Sequence, residues 1–260
     1  MLCCLDGVVM PAADATISVL DEGLLRGDGV FEVARVYAGV PYALDEHLER
    51  MARSAAGLRL EFSPDLFAAD AAGLLDAVEP GAEGYLRFVA TRGGRRIVLL
   101  EPVREIPETI SLATIRYGPS RVLDGIKSLS YGANMLVTRL AQEQGADEAL
   151  LVTPHGRVLE GARQAFICSL DGDTLVTPPL SDHILDSITR RRVLETGLVT
   201  ERPISFDELP FATEAFLAVT TVEVHPVHAI DGVTLSPAPG PLTTAVAERV
   251  RAAIAAAVTP

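Results

Sequence analysis

Short runs in which apolar and polar residues alternate are interleaved along this chain with longer stretches in which apolar residues recur at helical spacing. Gly-Val-Phe-Glu-Val-Ala-Arg-Val-Tyr, residues 29–37, reads as a strand. Beyond it Leu48, Met51, Ala55 and Leu58 mark one face of a helix, with Asp45 as the expected N-cap and Leu44 as the apolar staple before it. Two further strand-like runs, 83–91 and 108–115, flank an arginine-rich turn.

In the second half the pattern predicts a helix from about Ser130 to Gln144, stopped by Gly145, followed by a strand Glu-Ala-Leu-Leu-Val-Thr and a Pro-His-Gly turn. Strand-like Arg-Val-Leu-Glu and Ala-Phe-Ile-Cys-Ser-Leu follow. A helix opens near Asp186 or Ser187, another fills 242–258, and Ala-Phe-Leu-Ala-Val-Thr-Thr-Val-Glu-Val between them reads as one central strand. The segment 117–125 has the proline and glycine content of an interdomain connection, and equally of a surface loop. The expected fold class is therefore mixed α and β (α+β), with a small N-terminal α/β domain over 1–116, a linker over 117–125 and a larger C-terminal domain over 126–260.

Composition narrows the function classes. A chain of 260 residues with 48% hydrophobic content buries a substantial core easily. No apolar run is long enough to span a bilayer, and the N-terminus lacks the regions of a secretory signal, so a cytoplasmic protein without a membrane partner is expected. Cys3, Cys4 and Cys168 carry neither CxxC nor Cys/His spacing, which suggests free thiols and no metal site. A formal net charge of −13 argues against nucleic-acid binding, leaving anion recognition to local arginines.

One count changes the picture. The chain has twenty-one arginines and a single lysine, Lys127. Arginine serves wherever a fixed charge is wanted, whereas an amine that must shed its proton and attack a carbonyl has to be lysine. A lysine of that kind points to Schiff-base chemistry, of the aldolase type or on pyridoxal phosphate, and in the second case the chain must also supply an anion site and a carboxylate for the ring nitrogen. Asp-Ser-Ile-Thr-Arg at 186–190 is a helix opening able to meet a phosphate, although most such openings are ordinary caps. Glu160, at the end of an apolar run, is a carboxylate in need of a partner, unless it is simply a solvated strand end.

These features, in this order, resemble the class IV aminotransferases, the fold-type-IV pyridoxal phosphate enzymes. The resemblance spans nearly the whole chain. It runs from Gly-Asp-Gly-Val-Phe-Glu (27–32) and His-Leu-Glu-Arg (47–50) to Ile-Lys-Ser-Leu (126–129), then through Gly-Ala-Asp-Glu-Ala-Leu-Leu, Leu-Glu-Gly and Ile-Thr-Arg to Thr-Thr-Val-Glu-Val-His-Pro-Val (220–227). It implies pyridoxal 5'-phosphate held by Lys127 as the Schiff-base lysine, with Glu160 facing the pyridine nitrogen. Arg50, Ile188, Thr189 and Thr220 would meet the phosphate, Tyr131 the phenolic oxygen and Leu185 the ring face. Phe31 and Thr221 would line the substrate.

The sequence also departs from the family, which usually places small hydroxyl residues and an asparagine after Glu-Gly. Here Ala162-Arg163-Gln164-Ala165 follows, which implies altered cofactor retention unless backbone amides supply the contacts and Arg163 points to solvent. Thr91-Arg92-Gly93 lacks the Arg-x-His motif of familiar D-amino-acid transaminases, so the substrate carboxylate clamp is expected from Arg87 and from Arg26 of a second copy in a homodimer. The plainer expectation is that Arg26 pairs with Asp28 and Arg87 caps a surface. The segment Phe-Glu-Val-Ala-Arg-Val-Tyr resembles D-amino-acid transaminases first, which implies D-alanine or D-glutamate as donor and 2-oxoglutarate or pyruvate as acceptor. Aminodeoxychorismate lyases, L-branched-chain aminotransferases and a non-catalytic homologue follow as alternatives.

Overall fold

The structure is a computed structural model and describes residues 1–258. By backbone contacts it divides into two compact units: Met1–Glu105 with Ile126–Tyr131 and the end of the last helix, and Ile106–Gly125 with Gly132–Ala253.

Among the described residues of the first unit, six antiparallel strands form one sheet in the order β2-β1-β6-β5-β3-β4. They are β1 (Leu2–Leu5), β2 (Val8–Pro11), β3 (Gly29–Tyr37), β4 (Val40–Pro41), β5 (Gly84–Thr91) and β6 (Arg96–Glu101). Strand alternation sorts the side chains onto two faces. Val30, Ala34 and Val36 of β3 join Leu86, Phe88 and Ala90 of β5, Val98 of β6 and Cys4 of β1 in one buried cluster. That cluster is closed by Leu48, Met51 and Ala55 of α2 (Leu44–Gly57) and by Phe67, Ala71 and Leu74 of α3 (Pro64–Asp76). The opposite face carries Phe31, Val33 and Arg35 beside Val89, Arg87 and Tyr85, then Ile97, Leu99 and Glu101.

Two expectations are corrected here, and one hairpin is added. The α2 N-cap is Ala43, in left-handed conformation without a side-chain cap, and Leu44 and Asp45 are already helical; Asp45 acts through its charge in the first turn. Strand β6 begins at Arg96, inside the supposed arginine turn, because the chain reverses within residues 92–95, closed by Gly94 N to Thr91 O at 3.0 Å, and Arg-Ile-Val-Leu-Leu-Glu pairs with β5 throughout. The β1–β2 hairpin turns on Asp6-Gly7, both at positive φ, as a two-residue hairpin loop requires.

In the second unit, among the described residues, nine strands form a mixed sheet ordered β12-β11-β10-β13-β14-β7-β8-β9, with β15 (Val233–Thr234) on β14. They run from β7 (Ile110–Arg116), β8 (Glu148–Val152), β9 (Val158–Gly161) and β10 (Ala165–Ser169) through β11 (Leu175–Thr177) and β12 (Val199–Glu201) to β13 (Glu214–Val219) and β14 (Glu223–Ile230). One face buries Leu112, Leu150, Phe166, Leu217 and Val227 together. The other receives Val137 and Ala141 of α4 (Gly132–Glu143) against Ala113, Ala149 and Leu151. Helix α5 (Ile188–Glu195) and helix α6 (Pro241–Val258) as far as Ala253 also belong to this unit; the short α1 (Glu22–Arg26) belongs to the first.

The expected single strand over 215–224 is two. It stops at Val219, turns through Thr220-Thr221-Val222 and returns antiparallel as β14, with Glu223 at positive φ. An apolar run with no breaker residue conceals that reversal from a pattern reading. The division of the chain also departs from the expected 1–116, 117–125 and 126–260. Strand β7 lies between β14 and β8 and so belongs to the second unit, as does the connecting segment, whereas 126–131 returns to the first along the open edge of β3.

Candidate functional site

The backbone of Lys127 and of the two residues after it is fixed by four contacts. The Lys127 carbonyl accepts from Phe31 N at 3.1 Å, Val30 bridges Ser128, and Leu129 N donates to Gly29 O at 2.8 Å. The Lys127 N–H donates to Ser54 Oγ of α2 at 3.1 Å. The segment thus extends the sheet at β3 and presents the Lys127 amine to the Phe31 ring, 4.4 Å from Nζ to the centroid, with the Tyr131 ring at 6.0 Å. Phe31 and Tyr131 meet edge to face at 5.1 Å, which locks both rings.

On the apolar face of β3 the alternation Val30, Glu32, Ala34, Val36 buries a carboxylate. Arg50 grips it with both ends of one guanidinium edge, Nε to Oε1 at 2.6 Å and Nη2 to Oε2 at 2.8 Å, and His47 Nδ1 lies 2.9 Å from Oε2. His47 and Arg50 reach it together because they sit three apart on α2. Burial opposes ionisation of Glu32, but the Arg50 charge and the hydrogen bonds from His47 and Arg50 outweigh it and hold the carboxyl at about 2. Burial pushes His47 down, so it is neutral with the proton on Nδ1 toward Glu32. Its Nε2 is buried without a hydrogen-bond partner among the described residues.

In the second unit Glu160 Oε1 accepts the Leu185 N–H at 3.1 Å, and Ser187 caps α5 by accepting from Arg190 N at 3.3 Å. Ile188 and Thr189 are buried in the first turn of that helix, whose leading N–H groups have no intrahelical acceptor. Thr220 and Thr221 are half-buried in the tight β13–β14 connection, closed by Val222 N to Val219 O at 3.3 Å. Tyr117, absent from the sequence reading, has its phenol pushed up by burial and by the Glu160 carboxylate nearby.

The arginines behave differently from the plain expectation. Arg26 pairs with Glu22 and not with Asp28, which binds Arg92 at 3.0 Å. Arg87 is bidentate on Glu101, Nε to Oε1 at 2.7 Å and Nη2 to Oε2 at 2.9 Å. Arg163 does not simply point to solvent: its Nη2 lies 2.9 Å from Glu148 Oε2.

Comparison with known proteins gives one consistent result. The family model described as amino-transferase class IV matches residues 29–230. The D-alanine aminotransferase of Bacillus licheniformis is 34% identical over 263 residues, covering 92% of this chain and 92% of that protein. This chain belongs to the class IV aminotransferases. A putative branched-chain-amino-acid aminotransferase of Methanocaldococcus jannaschii is 33% identical over 258 residues, covering 88% of this chain and 87% of that protein. A hypothetical aminotransferase from Mycobacterium tuberculosis in its PLP-bound form superimposes with a TM-score of 0.87 at 27% identity, over 98% of this chain and 99% of that one.

Class IV aminotransferases use pyridoxal phosphate, and the residues of this aminotransferase fit that group. The chain holds an amine on a fixed backbone, a guanidinium oriented by Glu32, a capped helix N-terminus for a phosphate and a carboxylate held by a backbone amide. The orphaned His47 Nε2 is a further buried atom that calls for a partner. Glu32 and His47 were visible in sequence as the polar members of Phe-Glu and His-Leu-Glu-Arg, one of them out of step with an apolar strand face; nothing local marks Tyr117 or Glu148.

Proposed function

We propose that this aminotransferase moves the amino group between a D-amino acid, D-alanine or D-glutamate, and a 2-oxo acid, pyruvate or 2-oxoglutarate, as a cytoplasmic homodimer. What supports the reading is a shared sheet face: Phe31, against which the Lys127 amine lies, is on the same side of β3 and β5 as the Arg87 guanidinium. An amine and a carboxylate-binding fork on one surface suit an amino acid. Arg26 of a second copy supplies the other cation. Helix α1 buries none of its residues, and Val19, Leu20, Leu24 and Leu25 around Arg26 are exposed, which suits a helix covered by another chain.

When bound, pyridoxal phosphate offers an aldehyde to the substrate amine and a ring that accepts the electron pair released with the α-proton. With the coenzyme bound, Lys127 would anchor it and would carry the proton at the substrate Cα, its Nζ kept in position by the Phe31 ring and the Ser54 anchor behind it. Glu160, its carboxylate oriented by the Leu185 N–H, would hold the ring nitrogen protonated. By the family resemblance, Arg50, Ile188, Thr189 and Thr220 would each meet the phosphate, and Tyr131 the phenolic oxygen. Phe31 and Thr221 border the substrate side chain. Arg87 and Arg26 fix substrate carboxylates, and Glu101 sets which edge of Arg87 is presented.

The test is the visible spectrum of the coenzyme-loaded protein with D-alanine and, in parallel, L-leucine. Conversion of the visible band to shorter wavelength by D-alanine alone is expected; conversion by L-leucine alone transfers the protein to the branched-chain group. Borohydride reduction should label the Lys127 peptide, and Arg87→Leu and Arg26→Leu should each raise KM for 2-oxoglutarate with smaller changes in kcat. Unchanged KM in both variants would remove the arginines from the substrate.

A further inference from the structure

Glu160 stands at an irregular place in its sheet. Leu150 pairs with Gly161 and Val152 with Val158, so Leu159 and Glu160 together face Leu151 alone. This is a β-bulge, and a bulge re-aims side chains at the cost of ladder hydrogen bonds that would otherwise hold the backbone. The Leu185 N–H holds one oxygen of the Glu160 side chain, and the bulged backbone that carries it needs a tie of its own. Immediately after Glu160 the chain turns, closed by Gly161 N to Gln164 O at 2.8 Å, and the turn is tied at two further points. Ala162 O accepts from Asn134 Nδ2 of α4 at 2.6 Å, and Arg163 pairs with Glu148 of β8. Glu148 is itself immobilised: its side chain is 5% exposed, its Oε1 accepts from Thr138 Oγ1 at 2.6 Å and from Ala149 N at 3.0 Å, and Oε2 takes Arg163. A buried carboxylate held on three sides is a rigid post, and Arg163 ties the turn to it.

We propose that Arg163 is a positioning residue that, through Glu148, fixes the 161–164 turn and thereby aims the bulged Glu160 carboxylate at the coenzyme's ring nitrogen. The proposal rests on the assignment of Glu160 to that nitrogen. It gives the Ala162-Arg163-Gln164-Ala165 departure a purpose: the turn is tied from within the protein, where hydroxyl side chains are missing.

The test compares Arg163→Ala, Arg163→Lys, Glu148→Gln/Arg163→Ala and Glu160→Gln with the parent. Pyridoxal phosphate is titrated calorimetrically into coenzyme-free protein, melting of the coenzyme-free form is followed, and the visible band of the loaded form is recorded from pH 5 to 9. The double variant carries no orphaned buried charge, so it melts as the parent does. It should nevertheless bind the coenzyme about tenfold more weakly, about 1.4 kcal/mol, and its band should acquire a pH dependence that the parent lacks. Arg163→Lys, which keeps the cation, should restore most of both. A double variant with parental affinity and a parental band, while Glu160→Gln loses affinity, overturns the role of Arg163 alone. Parental behaviour of Glu160→Gln removes the Glu160 assignment, and this proposal with it.

Discussion

Replacing Arg50 by methionine removes the cation from a carboxylate that has no access to water. The Glu32 side chain is 0% exposed and that of Arg50 6% exposed, and the two hydrogen bonds between them are 2.6 and 2.8 Å long. A carboxyl held at about 2 against an ordinary 4.5 has its charged form favoured by about 3 kcal/mol, net of burial. Without Arg50 the burial remains and most of the attraction goes, so Arg50→Met should cost about 3–5 kcal/mol at pH 7, which lowers Tm by about 6–20 °C for a chain of this size. The assay is thermal denaturation of the coenzyme-free protein from pH 5 to 8. In the variant the folded state holds the Glu32 proton more tightly than the unfolded state, so stability rises as pH falls toward 5; in the parent it does not. Glu32→Gln/Arg50→Met, which has no charge to strand, should regain most of the loss. A single variant melting within about 2 °C of the parent at pH 7, or one indifferent to pH, would refute the reasoning.

Acidification of the parent should destabilise it in two stages. His47, whose folded form resists protonation, withdraws stability as pH falls below about 6.5, and Glu32, whose folded value is depressed, withdraws more between about 4.5 and about 2; urea midpoints level from about 7.5 to about 5 would contradict the first stage, and level from about 4.5 to about 2 the second. Gly29→Ala places a Cβ 2.4 Å from the backbone oxygen of Ala90, so β3 and β5 must part there, at a cost of about 1–3 kcal/mol. The same change should weaken coenzyme loading, because Leu129 N hangs from Gly29 O beside Lys127, and normal loading at a parental Tm would speak against it. Glu214→Ala deletes the cap that receives Leu242 N, Thr243 N and Thr243 Oγ1, and should lower stability by about 1–2 kcal/mol in the same melts.

Local periodicity carried a large part of this molecule. Strand β3, helices α4, α5 and α6, the cap at Ser187 and the stop at Gly145 lie where their patterns predict, because each is decided within a few residues. Lys127 was conspicuous by composition alone, and the order of motifs around it carried the family and its coenzyme. The same local logic failed where a partner far along the chain decides. Strand β6 shows no alternation of its own and is a strand because β5 and β1 lie on either side of it. The β13–β14 reversal is written in no glycine or proline. Asp45 looked like a cap because a polar residue before an apolar helix usually is one, and the left-handed Ala43 displaced it by two residues.

The chemistry divides in the same way. By itself the sequence determined which groups are available: one amine that can be a nucleophile, one acid at the end of an apolar run, and arginines in excess. Tertiary structure alone decided which arginine meets which acid. Glu32 with Arg50, Arg87 with Glu101 and Arg163 with Glu148 are each drawn together from separate elements. A charge's worth depends on its burial and its distance from an opposite charge, and both are properties of the folded chain.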